Sequence, residues 1–153
     1  MPKLYVLVGV PGSGKSTWAH NQDWFTDCEY VSTDKWVDMV AARQYKTYNE
    51  VFKAYMPTAV KLMTNEVIDA RAEGKDIIWD QTSCTVGSRM KKFNMLPDYY
   101  AIAVVFKTPE QEELNRRLAS RPGKNIPEYV MQSMIDSWQE PTKDEGFDEI
   151  WHV

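Results

Sequence analysis

The chain has few of the residues that build disulfide-rich or zinc-stabilised proteins. Only two of its 153 residues are cysteines. Cys28 and Cys84 lie far apart and in no metal-ligand spacing. This pattern favours two small, buried or half-buried side chains in a reducing compartment over a disulfide or a reactive thiol.

Long apolar runs and an excess of positive charge are also missing. No stretch approaches the roughly 20 apolar residues that cross a bilayer. The N-terminus shows no signal-peptide pattern, because the short apolar run at 4–8 leads directly into glycines. The formal net charge of −4 argues against a broad basic surface for non-specific nucleic-acid binding, although a small basic pocket remains compatible with it. We therefore expect a cytoplasmic protein without membrane contact, folded as a single domain over 1–153.

One glycine-rich motif dominates the N-terminal region. The segment "LVGVPGSGKSTW" at 7–18 contains the spacing G-x-x-x-x-G-K-[ST], between a predicted strand and a predicted helix. In such a loop the backbone N–H groups point at phosphate oxygens, the lysine reaches the outer phosphates and the hydroxyl can ligate Mg²⁺. The loop residues expected to bind ATP are Gly9, Pro11, Gly12, Ser13, Gly14, Lys15, Ser16 and Thr17, and Ser16 is also an expected Mg²⁺ ligand. A GTPase switch is disfavoured, because the chain has no N-K-x-D motif and no D-x-x-G sequence at Asp80.

Short apolar runs alternate with helical patterns along the rest of the chain. Strands are predicted at 3–8, 29–32, 76–80 and 99–106. A fifth strand, with a weaker apolar pattern, is predicted at 149–153. The clearest helix covers about 49–72 and stops at Gly74; others are predicted at 34–42, 86–95, 109–120 and 127–139. This alternation is typical of an α/β fold in which helices cover both faces of a parallel sheet.

Two aspartates follow predicted strands, at the sheet edge where ligands bind in such folds. Asp34 can act as the general base for an attacking hydroxyl, or it can cap the helix that begins there. Thr33 is an equally suitable cap. Asp80 ends the strand "DIIWD", where a carboxylate supports Mg²⁺ directly or through water. Asp38, one turn beyond Asp34, is expected to be solvated.

The segment "LNRRLASRPGKNIP" is rich in cations and is predicted to form a lid over about 116–127. Arg117 and Arg121 share one helix face, and Pro122-Gly123 breaks the helix. An arginine on such a lid can neutralise charge on a phosphoryl group in flight, and Arg121 is the best candidate. Arg117 is expected on the adenine or on the α- and β-phosphates. The alternative is a solvated helix end.

These pieces together resemble the kinase domain of 5′-polynucleotide kinases from bacteriophages and animals. The resemblance covers about 4–152 and is most specific in the lid and in the tail segment "EPTKDEGF". It implies a P-loop kinase fold with a helical lid, and Mg²⁺- and ATP-dependent phosphorylation of a 5′-hydroxyl on DNA or RNA. Carried over by position, Lys15 and Ser16 form the phosphate-loop pair, and Asp34 is the general base. Arg121 is the lid arginine and Thr82 a loop residue near the acceptor.

The chain departs from that family on the acceptor side. Phage members have an arginine shortly after the catalytic aspartate, where this chain has "KWVD", so Lys35 is the expected substitute. Arg89 is a further candidate acceptor contact, whereas Lys91 and Lys92 are expected on a solvated face. An aromatic such as Trp36, Tyr45 or Tyr48 could stack on a terminal base.

The departures leave two other functions open. One is a kinase of a small molecule or nucleotide, and the other is a non-catalytic switch or a toxin-like partner. The resemblance to phage members leaves open that this is a phage protein that acts in the host cytoplasm. The motif of the family's phosphatase half, D-x-D-x-T, is absent.

Overall fold

A computed structural model describes residues 1–153 and contains one five-stranded parallel sheet. The strands are β1 (Lys3–Val8), β2 (Cys28–Val31), β3 (Asp76–Asp80), β4 (Tyr100–Val105) and β5 (Glu149–His152). The helices are α1 (Lys15–His20), α2 (Thr33–Arg43), α3 (Tyr48–Glu73), α4 (Val86–Met95), α5 (Gln111–Ala119) and α6 (Glu128–Asp136). The predicted three-layer α/β fold is confirmed, with most element boundaries within two residues of the predicted ones.

The strand order β2-β3-β1-β4-β5 places β1 in the centre of the sheet. Alternate side chains of β1 enter two different cores, as the period of a strand requires. Leu4, Val6 and Val8 join the larger core, which includes residues of α3, whereas Tyr5 and Leu7 join the core that contains Ala19 of α1. Because β1 is buried on both faces, the loop after it is fixed at the middle of the sheet's carboxyl edge.

The C-terminal tail is anchored by a buried ion pair. Arg89 of α4 is fully buried, and its Nε lies 2.5 Å from Oε1 of Glu145 in the "EPTKDEGF" segment. The same guanidinium donates to the backbone oxygens of Ser83, at 2.8 Å, and Gln139, at 2.9 Å. We therefore correct the expectation that Arg89 contacts the acceptor. The guanidinium is occupied by groups of the protein itself. Arg89 therefore joins the tail to the loop after β3.

Replacing Arg89 with methionine should lower the free energy of unfolding by about 3–5 kcal/mol, because Glu145 would keep a buried charge without a partner. Denaturant-induced unfolding measures this loss. Arg71→Met is the matched control, since the Arg71–Asp98 pair is about half exposed and should contribute about 1 kcal/mol or less. Equal losses in the two variants would contradict a structural role for the buried pair.

Lys92 is also not on a solvated face, although Lys91 is exposed as predicted. The side chain of Lys92 is buried, and its ammonium lies 5.1 Å from the centroid of the Trp79 ring. Burial lowers the pKa of Lys92 to about 8. The helical period brings Lys92 one turn after Arg89 onto the same inward face of α4.

None of the helices combines the length and the apolar character needed to cross a bilayer. Both cysteines are free: Cys84 is buried and Cys28 is half-buried, in agreement with the predicted packing roles.

Candidate active site

A cleft of about 1250 Å³ lies at the carboxyl edge of the sheet. Its lining comes mainly from the loop after β1, helix α1, the ends of β2 and β3, the start of α2, one face of α3, and the segment 117–124 at and after the end of α5. This volume exceeds the range of about 300–1,000 Å³ typical of sites for one small ligand. The cleft therefore has room for a nucleotide and for a second substrate.

The glycine-rich loop forms one wall of this cleft. Gly14 has φ 97°, a left-handed conformation that permits the turn into α1 and that other residues rarely adopt. The Lys15 ammonium donates to the Val10 backbone oxygen at 3.0 Å, and its side chain is nearly buried. Burial lowers the pKa of Lys15, although the nearby Asp80 carboxylate opposes this shift.

A buried polar atom of the same loop has no partner. The Ser13 hydroxyl oxygen is inaccessible and accepts or donates no hydrogen bond. This hydroxyl lies against Gly9, where an added Cβ would clash with it, and is closed off from the cleft. The features of the loop that suit phosphate oxygens are the buried Lys15 ammonium and the left-handed turn at Gly14. The remaining predicted loop residues that line the cleft are Pro11, Gly12, Ser16 and Thr17, whereas Gly9 lies behind them and donates its N–H to the Thr82 oxygen at 3.0 Å.

Ser16, Tyr30 and Asp80 meet where β2 and β3 end. The Tyr30 hydroxyl donates to Oδ2 of Asp80, and it also lies within hydrogen-bonding reach of Ser16. Burial raises the pKa of Asp80, an effect that the Tyr30 hydrogen bond and the Lys15 charge counteract. No group of three or more His, Cys, Asp or Glu side chains forms a metal cage. One carboxylate and one hydroxyl are nevertheless the donor set that suits Mg²⁺ carried on a nucleotide, because Mg²⁺ keeps water and phosphate ligands.

Asp34 lies in the first turn of α2 and faces the cleft. The N-cap of α2 is neither Asp34 nor Thr33. The Ser32 side chain accepts from the Lys35 N–H at 3.4 Å, which leaves the Asp34 carboxylate free of a capping role. Asp38 is exposed, as predicted.

Two side chains hold the Asp34 carboxylate. The Tyr48 hydroxyl donates to Oδ1 at 2.7 Å, and the Lys124 ammonium lies 2.9 Å from Oδ2. Burial alone would raise the pKa of Asp34, but the Lys124 charge and the Tyr48 hydrogen bond outweigh it and hold that pKa below its usual range. The group is therefore an ionised carboxylate at neutral pH.

The segment predicted to form a lid brings two arginines to the cleft. Arg117 Nη1 donates to the Gly12 backbone oxygen at 3.0 Å, and its Nε donates to Glu113 at 2.8 Å. Arg121 lines the same cleft, and its charge acts on both Lys15 and Asp34. The cleft thus contains the predicted base, the phosphate-loop lysine and the lid arginine together.

The predicted acceptor residues do not all meet there. Thr82 and Lys35 line the cleft, but the Lys35 ammonium is bound by the Tyr30 oxygen at 2.6 Å and by Glu66 at 2.5 Å. Trp36 donates its indole N–H to the same Glu66, at 2.7 Å, and the side chain of Tyr45 is fully exposed and outside the cleft. Among the three aromatic candidates for base stacking, only Tyr48 lines the cleft.

The sequence does not reveal that Tyr30, Tyr48 and Lys124 contact the two carboxylates, Asp80 and Asp34. Tyr30 pairs with Ile78 across the sheet, and Asp80 follows on the same face of β3, so the register explains their contact. Nothing in the sequence gives that register, because β2 and β3 are separated by two helices.

Known proteins resemble this chain in sequence and in fold. Residues 4–141 match the model of an AAA domain family. The bifunctional polynucleotide phosphatase/kinase of Schizosaccharomyces pombe is 28% identical over 156 aligned positions, which cover 99% of this chain and 33% of that protein. The chain thus spans about a third of the length of that curated relative.

Solved structures show the same fold. One chain of the Pnkp1/Rnl/Hen1 RNA repair complex superposes with a TM-score of 0.67 at 26% identity, over 89% of this chain and 43% of the other. Shikimate kinase from Acinetobacter baumannii superposes with a TM-score of 0.58 at 15% identity, over 100% of this chain and 84% of the other. The chain has a P-loop kinase fold that resembles polynucleotide kinase domains, and by its match over residues 4–141 it belongs to the AAA domain family.

Proposed function

We propose that this protein transfers the γ-phosphate of ATP to the 5′-hydroxyl of a DNA or RNA end. The observation that carries the proposal is the arrangement of one cleft, in which an ionised Asp34 faces the same space as Lys15 and the lid Arg121. The similarity to a polynucleotide phosphatase/kinase supports a nucleic-acid end as the acceptor.

On the donor side, the chain supplies positive charge where the triphosphate would lie. Lys15, whose ammonium donates to the Val10 oxygen in the structure, would bind the β- and γ-phosphates, and Arg117 contacts the phosphate loop at Gly12. Mg²⁺ held by Ser16 and Asp80 would neutralise part of the charge on the outer phosphates. Arg121 stabilises the charge that spreads over the equatorial oxygens of the phosphoryl group during transfer.

On the acceptor side, Asp34 takes the proton of the 5′-hydroxyl while that oxygen bonds to the γ-phosphorus. The bond from the γ-phosphorus to its bridging oxygen breaks in the same displacement, and ADP leaves with that oxygen. Tyr48 orients the carboxylate through its hydrogen bond at 2.7 Å. Thr82 borders the acceptor side of the cleft.

The decisive experiment measures transfer from γ-labelled ATP to a panel of acceptors. The panel contains 5′-hydroxyl DNA, 5′-hydroxyl RNA, nucleoside 3′-monophosphates and unrelated metabolites such as sugars and shikimate. We expect labelling of the nucleic-acid ends. Labelling of a metabolite alone would identify a small-molecule kinase, and the absence of any labelled acceptor would favour a non-catalytic switch.

Replacing Arg121 with alanine should lower kcat about 10³-fold or more and change the KM for ATP much less, because the contact is strongest in the transition state. Steady-state kinetics with a 5′-hydroxyl oligonucleotide measure both constants. Arg116→Ala is the matched control, since Arg116 is mostly exposed, pairs with Glu113 and does not line the cleft. A rise in KM with an unchanged kcat would instead make Arg121 a ground-state contact to ATP.

A further inference from the structure

We propose that Lys124 determines acceptor specificity by binding the acceptor phosphate nearest to the 5′-hydroxyl. Before an acceptor enters, the Lys124 ammonium contacts Asp34. The inference rests on the proposed function and names a residue and a substrate group that the proposed function leaves open.

Lys124 occupies a defined position on the acceptor side of the cleft. Its side chain is only 15% exposed, its ammonium lies 2.9 Å from Oδ2 of Asp34, and it stands 4.3 Å from the centroid of the Tyr48 ring. These contacts combine an ion pair with a cation–π interaction. The ammonium is therefore directed at the proposed base and is not a solvated surface charge.

The loop that carries Lys124 is fixed to the start of α3. Gly123 has φ 70°, and a Cβ added to it would lie 2.5 Å from Cβ of Thr47, so only glycine allows this approach. The Asn49 N–H donates to the Gly123 oxygen at 3.0 Å. The Asn49 side chain also exchanges two hydrogen bonds with the Asn125 backbone, at 2.9 and 3.0 Å. The lid is thus docked with its lysine beside Asp34.

The two cations that the sequence suggests for the acceptor are engaged elsewhere. Lys35 is paired with Glu66, and Arg89 is buried against the tail. Lys124 differs from them because its partner is the group that must receive a proton. The acceptor hydroxyl needs access to the Asp34 carboxylate, and Tyr48 already occupies Oδ1.

An acceptor hydroxyl that binds Oδ2 competes with the ammonium there, and in our proposal the ammonium then moves to the acceptor. A displaced ammonium in a half-buried site needs another anion close by, since an unpaired charge is costly there. A nucleotide that presents its 5′-hydroxyl to Asp34 carries a phosphate on the same sugar, and this phosphate supplies the new partner. Asp38 is the alternative partner within the protein, because the charge of Lys124 also acts on it.

The wall next to Lys124 suits the rest of a nucleotide. Tyr48, Phe52 and Met56 of α3 line the cleft, and the rings of Tyr48 and Phe52 lie 5.4 Å apart. Phe52 is 41% exposed although it is a large apolar side chain. An aromatic wall beside a cation fits a base and its phosphate better than it fits a polyhydroxyl sugar.

The test compares two 5′-hydroxyl oligonucleotides that differ only in the first internucleotide linkage, which is either a phosphodiester or an uncharged methylphosphonate. We expect the wild-type protein to prefer the phosphodiester in kcat/KM by about 10- to 100-fold, as one charge-assisted hydrogen bond provides. Lys124→Met should reduce this preference to less than about threefold, and Lys124→Arg should retain most of it. Lys61→Met, on the exposed face of α3, is the control for loss of one lysine and should keep the wild-type preference.

Each outcome separates the inference from the proposed function. If the wild-type protein phosphorylates neither oligonucleotide, the proposed function fails, and the inference fails with it. If it phosphorylates both equally, or if Lys124→Met retains the preference, the inference alone is wrong. If Lys124→Met loses kcat/KM equally on both acceptors, the inference is also wrong, because Lys124 then acts only on Asp34, on Asp38 or on closure of the lid. Thermal unfolding and the Kd for ATP, both expected to match wild type, exclude misfolding as the cause.

Discussion

Replacing Lys15 with alanine should abolish measurable phosphate transfer and weaken ATP binding. The Lys15 ammonium is nearly buried inside the glycine-rich loop, 3.0 Å from the Val10 oxygen, and we expect it to bind the outer phosphates when ATP is present. A fixed charge in a water-poor site costs little reorganisation during the reaction, and loss of one such donor reduces kcat by at least about 10²-fold.

Two measurements separate catalysis from binding in this variant. Isothermal titration with ATP gives the loss of affinity, and single-turnover transfer gives the loss of rate. Lys3→Ala is the matched control, since Lys3 lies exposed at the opposite end of β1. A transfer rate of Lys15→Ala above about a hundredth of the wild-type rate would contradict the role of the loop in phosphate transfer.

Replacing Asp34 with asparagine should reduce the transfer rate by at least about 10²-fold while ATP binding stays nearly intact. Asparagine keeps the shape of the side chain and can still accept the Tyr48 hydrogen bond through its amide oxygen. It cannot take the proton of an attacking hydroxyl. Since Asp34 lies at the start of α2 and outside the phosphate loop, the ATP affinity should not depend on its charge.

Asp38→Asn is the control for Asp34→Asn, because Asp38 lies one helical turn further along α2 on the same cleft and is exposed. It should keep at least half of the wild-type kcat. Turnover like that of wild type in Asp34→Asn would remove the assignment of Asp34 as general base. A large loss in both variants would indicate a general effect of negative charge in the cleft.

The C-terminal tail contains a conspicuous sequence motif whose structural role is visible only in the fold. "EPTKDEGF" is the segment that resembles polynucleotide kinases most specifically, yet it contributes no side chain to the cleft. Glu145 binds the buried Arg89, and Phe147 packs edge-to-face against Phe93 in the core. The segment therefore supports the site from behind, through the loop that follows Asp80.

Charged residues on α4 were the least predictable from sequence. A run of cations on a helix is usually solvated, yet Arg89 and Lys92 are both buried in this fold. Their burial depends on partners that are remote in the chain, Glu145 for Arg89 and the Trp79 ring for Lys92. No local pattern reveals such partners.

The elements that depend on local chemistry can be predicted from the order of the amino acids. Apolar runs and helical periods specify the five strands and the main helices, and the glycine spacing specifies the phosphate loop, because these features involve residues close together in the chain. Which charged side chains contact one another depends instead on the folded arrangement of the chain. The pairing of Asp34 with Lys124, of Asp80 with Tyr30 and of Lys35 with Glu66 joins residues between 31 and 90 positions apart. The energy of an ion pair depends on the distance between the two charges and on their burial. Both are set only in the folded protein, where the strand order brings the loops of the sheet to one edge.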